Sequence, residues 1–194
     1  VIDGVDISKL SGVSLNKFRK KFGVLFQSAA LFDSLNVFDN VAFPLIENYR
    51  GKKQPDIKKI VEEKLALVGL SGVGSKMPSE LSGGMRKRVG LARAIVLEPS
   101  IILYDEPTTG LDPVMTRAID DLILSTQREL KITSVVISHD IESAFRVADE
   151  IAMVHEGKII EVGMPDEFGS STNQVVVDFL RAGWSISALG SLRG

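Results

Sequence analysis

Apolar positions along the chain follow two spacings, and the two alternate. Short unbroken runs at 23–26 (GVLF), 101–104 (IILY) and 134–137 (SVVI) read as buried strands. Between them, apolar residues recur every three or four positions. In the segment 56–68 they fall at 57, 60, 61, 65 and 68, a helical period that closes at Gly69. The segments 14–21, 83–97, 113–131, 141–147 and 175–182 read as further helices. Ser82 precedes the second of these and Pro99 follows it, while Pro113 suits the first turn of the third. Residues 1–7 read as a strand turning at Asp3-Gly4, and 151–155 with 158–162 as a hairpin about Glu156-Gly157. The aromatic stretch 27–50, with Phe32, Phe38 and Phe43, keeps neither period and reads as irregular. Strands alternating with helices predict an α/β fold with a mostly parallel central sheet.

Composition narrows the chemistry. At 194 residues the chain is long enough for one domain with a substantial core. The 23 basic and 25 acidic residues leave a net charge of -2, which disfavours nucleic acid or an anionic membrane surface as a partner. There is no cysteine, so disulfides and thiolate metal sites are excluded. Two histidines, His139 and His155, make a histidine metal cluster improbable. No apolar run approaches bilayer length and the first ten residues carry no leader pattern, so a membrane role must come through a partner.

Four short motifs and one glutamine carry the chemistry. In ELSGGMRKRVGLARAI (80–95), Ser82, Gly83 and Gly84 open a helix with bare N–H groups at its positive end, an anion site. By itself, Ser-Gly-Gly also fits an ordinary N-capped helix. In IILYDEP (101–107) an apolar strand delivers Asp105 and Glu106 to its carboxyl end, where ligands bind in open α/β sheets. Asp105 suits Mg²⁺ held through water, and Glu106 suits a group that orients or deprotonates an attacking water. TTGLDP (108–113) is a tight turn presenting Asp112, and VVISHD (135–140) ends a strand in His139, an imidazole able to donate to a phosphate oxygen. Gln27, after the GVLF strand, can reach a metal or a water through its amide.

In this order the motifs resemble the ATP-binding subunits of ABC transporters, over residues 1–182. LFQ (25–27) looks like the Q-loop, LSGGM (81–85) the signature, ILYDEP (102–107) Walker B, GLD (110–112) the D-loop and SHD (138–140) the H-loop. The resemblance implies a P-loop-type ATPase domain over 1–182, with a helical subdomain within 28–95 and a C-terminal tail at 183–194. It implies ATP and Mg²⁺ as cofactors, with Asp105 and Gln27 at the metal and Glu106, His139 and Gln27 in catalysis. It also implies a homodimer in which Ser82, Gly83 and Gly84 reach the partner's γ-phosphate and Asp112 links the two sites. A membrane permease would seat on the aromatic stretch, placing the subunit in the cytoplasm against the inner membrane; nucleic acid is not implied. Met85 stands where the signature commonly has glutamine, and with KMPSEL (76–81), FQSAALFDSLNVFDNVAFPL (26–45) and IIEVGMPDEF (159–168) it resembles the Mla/Mce type. That group powers lipid movement between bacterial membranes, alongside Mce-domain and STAS-domain proteins.

No G-x-x-x-x-G-K-[ST] occurs in the 194 residues; Gly72–Lys76 (GVGSK) has the wrong order and lies between helices. The expectation is a chain that starts just after a P-loop helix, with exposed apolar sheet edges and poor nucleotide affinity of its own. Two kinds of alternative stand beside lipid transport: an amino-acid or metal importer, and a regulatory fragment without catalysis. The segment between Gln27 and Ser82 is too short for the coiled coils or zinc modules of DNA-repair relatives.

Overall fold

The computed structural model describes residues 1–49 and 56–183; the predicted tail lies, from residue 184 onward, outside the described residues. Three strands, β1 (Phe22–Leu25), β2 (Ile101–Asp105) and β3 (Thr133–Ile137), form a parallel sheet in that order. Gly23 and Leu25 pair with Ile102 and Tyr104 on one face, and all four are buried. On the opposite face the apolar residues are half-buried to exposed, and at the β3 edge Val135 and Ile137 are exposed.

Helices α1 (Gly12–Arg19), α2 (Val37–Asn48), α3 (Ile57–Leu67), α4 (Gly83–Ile95) and α5 (Pro113–Leu130) accompany this sheet. Val41, Val61, Val89, Ile95, Ile119 and Ile123 meet Ile102 and Tyr104 in one main core. Helix α3 closes as its sequence predicts. Gly69 is left-handed, its N–H donates to the Ala66 carbonyl, and the Leu70 N–H donates back to Leu65 at 2.8 Å. A smaller core gathers Ile141 from α6 (Ile141–Val147), Phe168 from α7 (Pro165–Gly169), and Val176 and Leu180 from α8 (Gln174–Gly183). The antiparallel hairpin of β4 (Ile151–His155) and β5 (Lys158–Gly163) covers it. Among the described residues, no helix is long and apolar enough to cross a membrane.

Two sequence expectations are corrected. Residues 1–7 do not form a strand: Ile2 and Val5 exchange hydrogen bonds of 2.9 Å across Asp3 and Gly4, both left-handed. With a two-residue turn at its centre, the segment folds back on itself, and only this one bridge forms. A 3₁₀ turn at Ile7–Lys9 follows. Residues 27–50 are not irregular throughout, because Val37–Asn48 is α2, capped by the Asn36 carboxamide accepting from the Asp39 N–H at 2.8 Å. Its buried positions, Val37, Val41, Ala42 and Leu45, do have helical spacing. Pro44 and the exposed Phe43 obscured that period, and packing against α3 and α4 outweighs the donor that proline lacks.

Helix α6 is pinned to α5. Ser143 Oγ donates to the buried Asp120 carboxylate at 2.5 Å, and Arg146 donates to Asp121 at 2.8 Å. Burial pushes the Asp120 carboxyl above 3.8, with repulsion from Asp140 and Asp121 added, against the Ser143 bond and the Arg146 charge. A native pKa above the unfolded value means stability from this group falls as pH rises from 3.8 through the raised value. Asp120→Asn keeps an oxygen for Ser143 and removes the charge. It is expected to raise the unfolding midpoint at pH 7 by about 2–4 °C. Near pH 4 the gain should shrink, so a gain that persists unchanged there contradicts the electrostatic account.

Candidate functional site

The site sits at the carboxyl ends of β2 and β3. Parallel pairing sets Asp105 opposite Ile137, so the acids after β2 and the histidine after β3 emerge side by side. The Glu106 N–H donates to the Ile137 carbonyl at 2.9 Å, which carries the chain off the sheet with Glu106 in the left-handed region, φ +47. A non-glycine residue held there is strained backbone.

Two side chains converge on that carboxylate. His139 Nδ1 lies 2.9 Å from one oxygen and 2.8 Å from the other, while Thr109 Oγ1 donates to Oε2 at 2.8 Å. Partial burial pushes the Glu106 carboxyl up, but the bonds from His139 and Thr109 and the histidine's charge outweigh it. The carboxyl is held below its ordinary value. The same hydrogen bond and charge raise His139. Glu106 is thus ionised at neutral pH, and the bond at Nδ1 leaves the His139 Nε2 available to a ligand, on a side chain 71% exposed.

Asp105 and Gln27, both exposed, stand at the ends of the adjacent strands β2 and β1. Among the described residues no three histidines or acids converge as a metal cage. One carboxylate and one amide are instead hard oxygen donors of the kind Mg²⁺ uses, since it keeps several waters and takes substrate oxygens. The residues present therefore fit Mg²⁺ brought with a phosphate ligand.

A second group lies at the start of α4. The Met85 N–H donates to Ser82 Oγ at 3.3 Å, so Ser82 is the N-cap expected of it. A Cβ on Gly84 would lie 2.1 Å from Met115 Cε, and one on Gly83 would lie 3.5 Å from Leu111 Cδ2. The glycines thus let this turn press against the 111–115 segment as well as bare its backbone. Asp112 caps α5, its Oδ1 accepting from the N–H groups of Val114 at 2.9 Å and Met115 at 3.0 Å. Left-handed Gly110 shapes the turn before it, at φ +78. The eight candidates therefore fall into two groups: Gln27, Asp105, Glu106 and His139 in one, Ser82, Gly83, Gly84 and Asp112 in the other.

Sequence reasoning passed over Lys87. Its buried ammonium donates to the carbonyls of Gln27 and of Glu106, the latter at 3.1 Å. The only sequence signal was its place in the Arg-Lys-Arg run after Met85.

An α/β domain that gathers an ionised carboxylate, a histidine and exposed amide and acid groups at parallel strand ends places them where ligands bind in open α/β sheets. The family model described as ABC transporter matches residues 1–109. The Mycobacterium tuberculosis protein described as a probable ribonucleotide transport ATP-binding protein, mkl, is 47% identical over 180 residues, 93% of this chain and 50% of its own length. The intermembrane phospholipid transport system ATP-binding protein MlaF of Haemophilus influenzae is 44% identical over 181 residues, 93% of this chain and 68% of its own. The methionine import ATP-binding protein MetN of Aliivibrio fischeri is 40% identical, over 96% of this chain and 54% of its own length. A solved dimeric post-hydrolysis state of the ATP-binding cassette MJ0796, bound to ADP and Pi, superposes with a TM-score of 0.73 at 33% identity. It covers 84% of this chain and 72% of that one. The chain belongs to the ABC transporter ATP-binding family and spans about half the length of the mycobacterial relative.

Proposed function

We propose that the full-length protein hydrolyses ATP with Mg²⁺ to drive a membrane transporter, and that its cargo is phospholipid. The observation that carries the hydrolytic part is Glu106, ionised and held between His139 and Thr109 where β2 and β3 end. In this reading Glu106 orients the attacking water and accepts its proton, while His139 offers Nε2 to a phosphate oxygen. Asp105 and Gln27 would hold Mg²⁺, which when bound would neutralise charge on the phosphates. Ser82, Gly83 and Gly84 meet the phosphate of a nucleotide held by a second copy, and Asp112 lies at the seam between the copies. The dimeric MJ0796 cassette supports that pairing. The exposed rings of Phe32 and Phe43, 4.9 Å apart, suit the permease surface. The subunit then lies on the cytoplasmic side of the inner membrane, with Mce-domain and STAS-domain proteins in the same assembly and no nucleic acid.

Phospholipid as cargo rests on the MlaF likeness together with Met85 and the Met-Pro-Ser-Glu-Leu before the glycines. A second reading, transport of a small polar solute, is favoured by the likeness to the methionine import protein MetN and to mkl, described as a probable ribonucleotide transport protein. The full-length protein, co-purified with its membrane permease and placed in vesicles, should release phosphate from Mg-ATP faster when the vesicles hold phospholipid of the transported class. Stimulation by methionine or a ribonucleotide, with indifference to lipid composition, would favour the second reading.

A further inference from the structure

Four cations on α4 donate to main-chain carbonyls: Arg86 to Leu81 and Arg88 to Val68, while Lys87 and Arg93 reach the ends of β1 and β2. Lys87 is 5% exposed, and its ammonium meets the carbonyls of Gln27 and Glu106. Two turns along, Arg93 donates to the carbonyls of Ala29 and Ala30, both at 2.7 Å. Three of the four residues held by Lys87 and Arg93 are strained: Ala29 has φ +63, Ala30 φ +45 and Glu106 φ +47. Non-glycine residues stay in that region only where surrounding contacts over-determine them. Burial lowers both cations from their ordinary values, and for Lys87 only the nearby charges of Glu106 and Asp105 work the other way. Lys87 stays buried because main-chain oxygens satisfy it.

We propose that Lys87 and Arg93 are positioning residues that lock the Gln27–Ala30 loop and the Glu106 backbone to the helix bearing the signature glycines. Where α4 stands then decides where the Gln27 amide and the Glu106 carboxylate stand. Close approach makes this possible: a Cβ on Gly90 would lie 2.8 Å from Leu25 Cδ1 and 3.1 Å from the Ala29 Cβ. The helix therefore rests directly on the end of β1. Arg93 also lies over the Phe32 ring, 5.9 Å from its centroid, so the lock extends to the exposed aromatic pair. A movement of α4 against β1 reaches Gln27 and Glu106 together, through the single Lys87 side chain. The catalytic part of this inference rests on the ATPase reading above; the structural part does not.

The test uses the full-length protein with Lys87→Met, Lys87→Arg and Arg93→Met. Lys87→Met keeps the stem and removes the donors; its kcat for Mg-ATP should fall by about 10- to 100-fold, with KM moving less than about threefold. Lys87→Arg, which still offers N–H groups to two carbonyls, should recover most of the loss. Amide exchange supplies an arm independent of turnover. The Ala29 N–H is bonded to Phe26 at 2.8 Å and the Glu106 N–H to Ile137 at 2.9 Å. Both should exchange at least about tenfold faster in Lys87→Met, and Ala29 likewise in Arg93→Met, while the amides of β2 and α5 keep their protection. Unchanged exchange at Ala29 and Glu106, or acceleration spread evenly over the domain, overturns the proposal. So does a kcat loss that Lys87→Arg fails to restore. Absence of turnover in the wild type would sink the ATPase reading alone, and the exchange pattern would still decide this one.

Discussion

Glu106→Gln is expected to cut phosphate release from Mg-ATP by about 10²- to 10⁴-fold while nucleotide binding survives. The substitution keeps the length and an oxygen for Thr109 and His139, so the turn at φ +47 and the contacts around it stay in place. What disappears is the charge that those bonds stabilise. Asp105, Gln27 and the signature turn are untouched, so binding of a non-hydrolysable analogue should match wild type within about threefold. The full-length protein assayed for steady-state phosphate release and for analogue binding gives both quantities. Retained turnover would move the water-activating role away from Glu106. Lost binding would show that the substitution had disturbed the site and not its chemistry alone.

Gly23→Ala should be the most damaging small change to the fold. Gly23 is buried in β1, and a Cβ there would lie 2.5 Å from the Ala94 carbonyl oxygen, 3.1 Å from its carbon and 3.2 Å from Pro99 Cγ. The obstacle is mostly backbone of α4, which cannot rotate away as a side-chain tip would. Overpacking of this kind costs about 1–3 kcal/mol, equivalent to roughly 2–12 °C in the unfolding midpoint at this chain size. Gly74→Ala is the matched control. Its Cβ would meet Phe38 Cβ at an ordinary 3.5 Å, and Gly74 is not among the left-handed glycines, so little change is expected. Equal midpoints for the two variants would show that β1 and α4 are not pressed together as described. Because the same contact brings Lys87 to the Gln27 carbonyl, Gly23→Ala should also lower turnover in whatever fraction stays folded.

Much of the site was legible in the residues. Period and punctuation place α3, α4, α5, α6 and the β4–β5 hairpin close to where they form, because caps and turns act over three or four residues. The helix α2 was not legible. Its identity comes from packing of Val37, Val41, Ala42 and Leu45 against other helices and from Asn40, fully buried, which bonds the Phe32, Leu35 and Asn36 carbonyls. A proline and a ring of aromatics read locally as irregular chain, and only tertiary contacts reverse that. The first seven residues err in the other direction, since apolar spacing there suggested a strand where, among the described residues, only the Ile2–Val5 bridge forms.

The sequence by itself determined the motifs, their order and the membership they imply, because each motif is a run of a few residues with its chemistry in hand. It also determined that Asp105, Glu106 and His139 leave strand ends. Only the tertiary structure decided that β2 and β3 are neighbours in a register that sets Asp105 opposite Ile137, and hence that His139 reaches Glu106. It likewise decided that Lys87, a residue indistinguishable in sequence from the arginines beside it, turns inward to two carbonyls. The reason is physical: a cation's partners are chosen by which strand ends the helix rests upon, and that is a long-range property of packing.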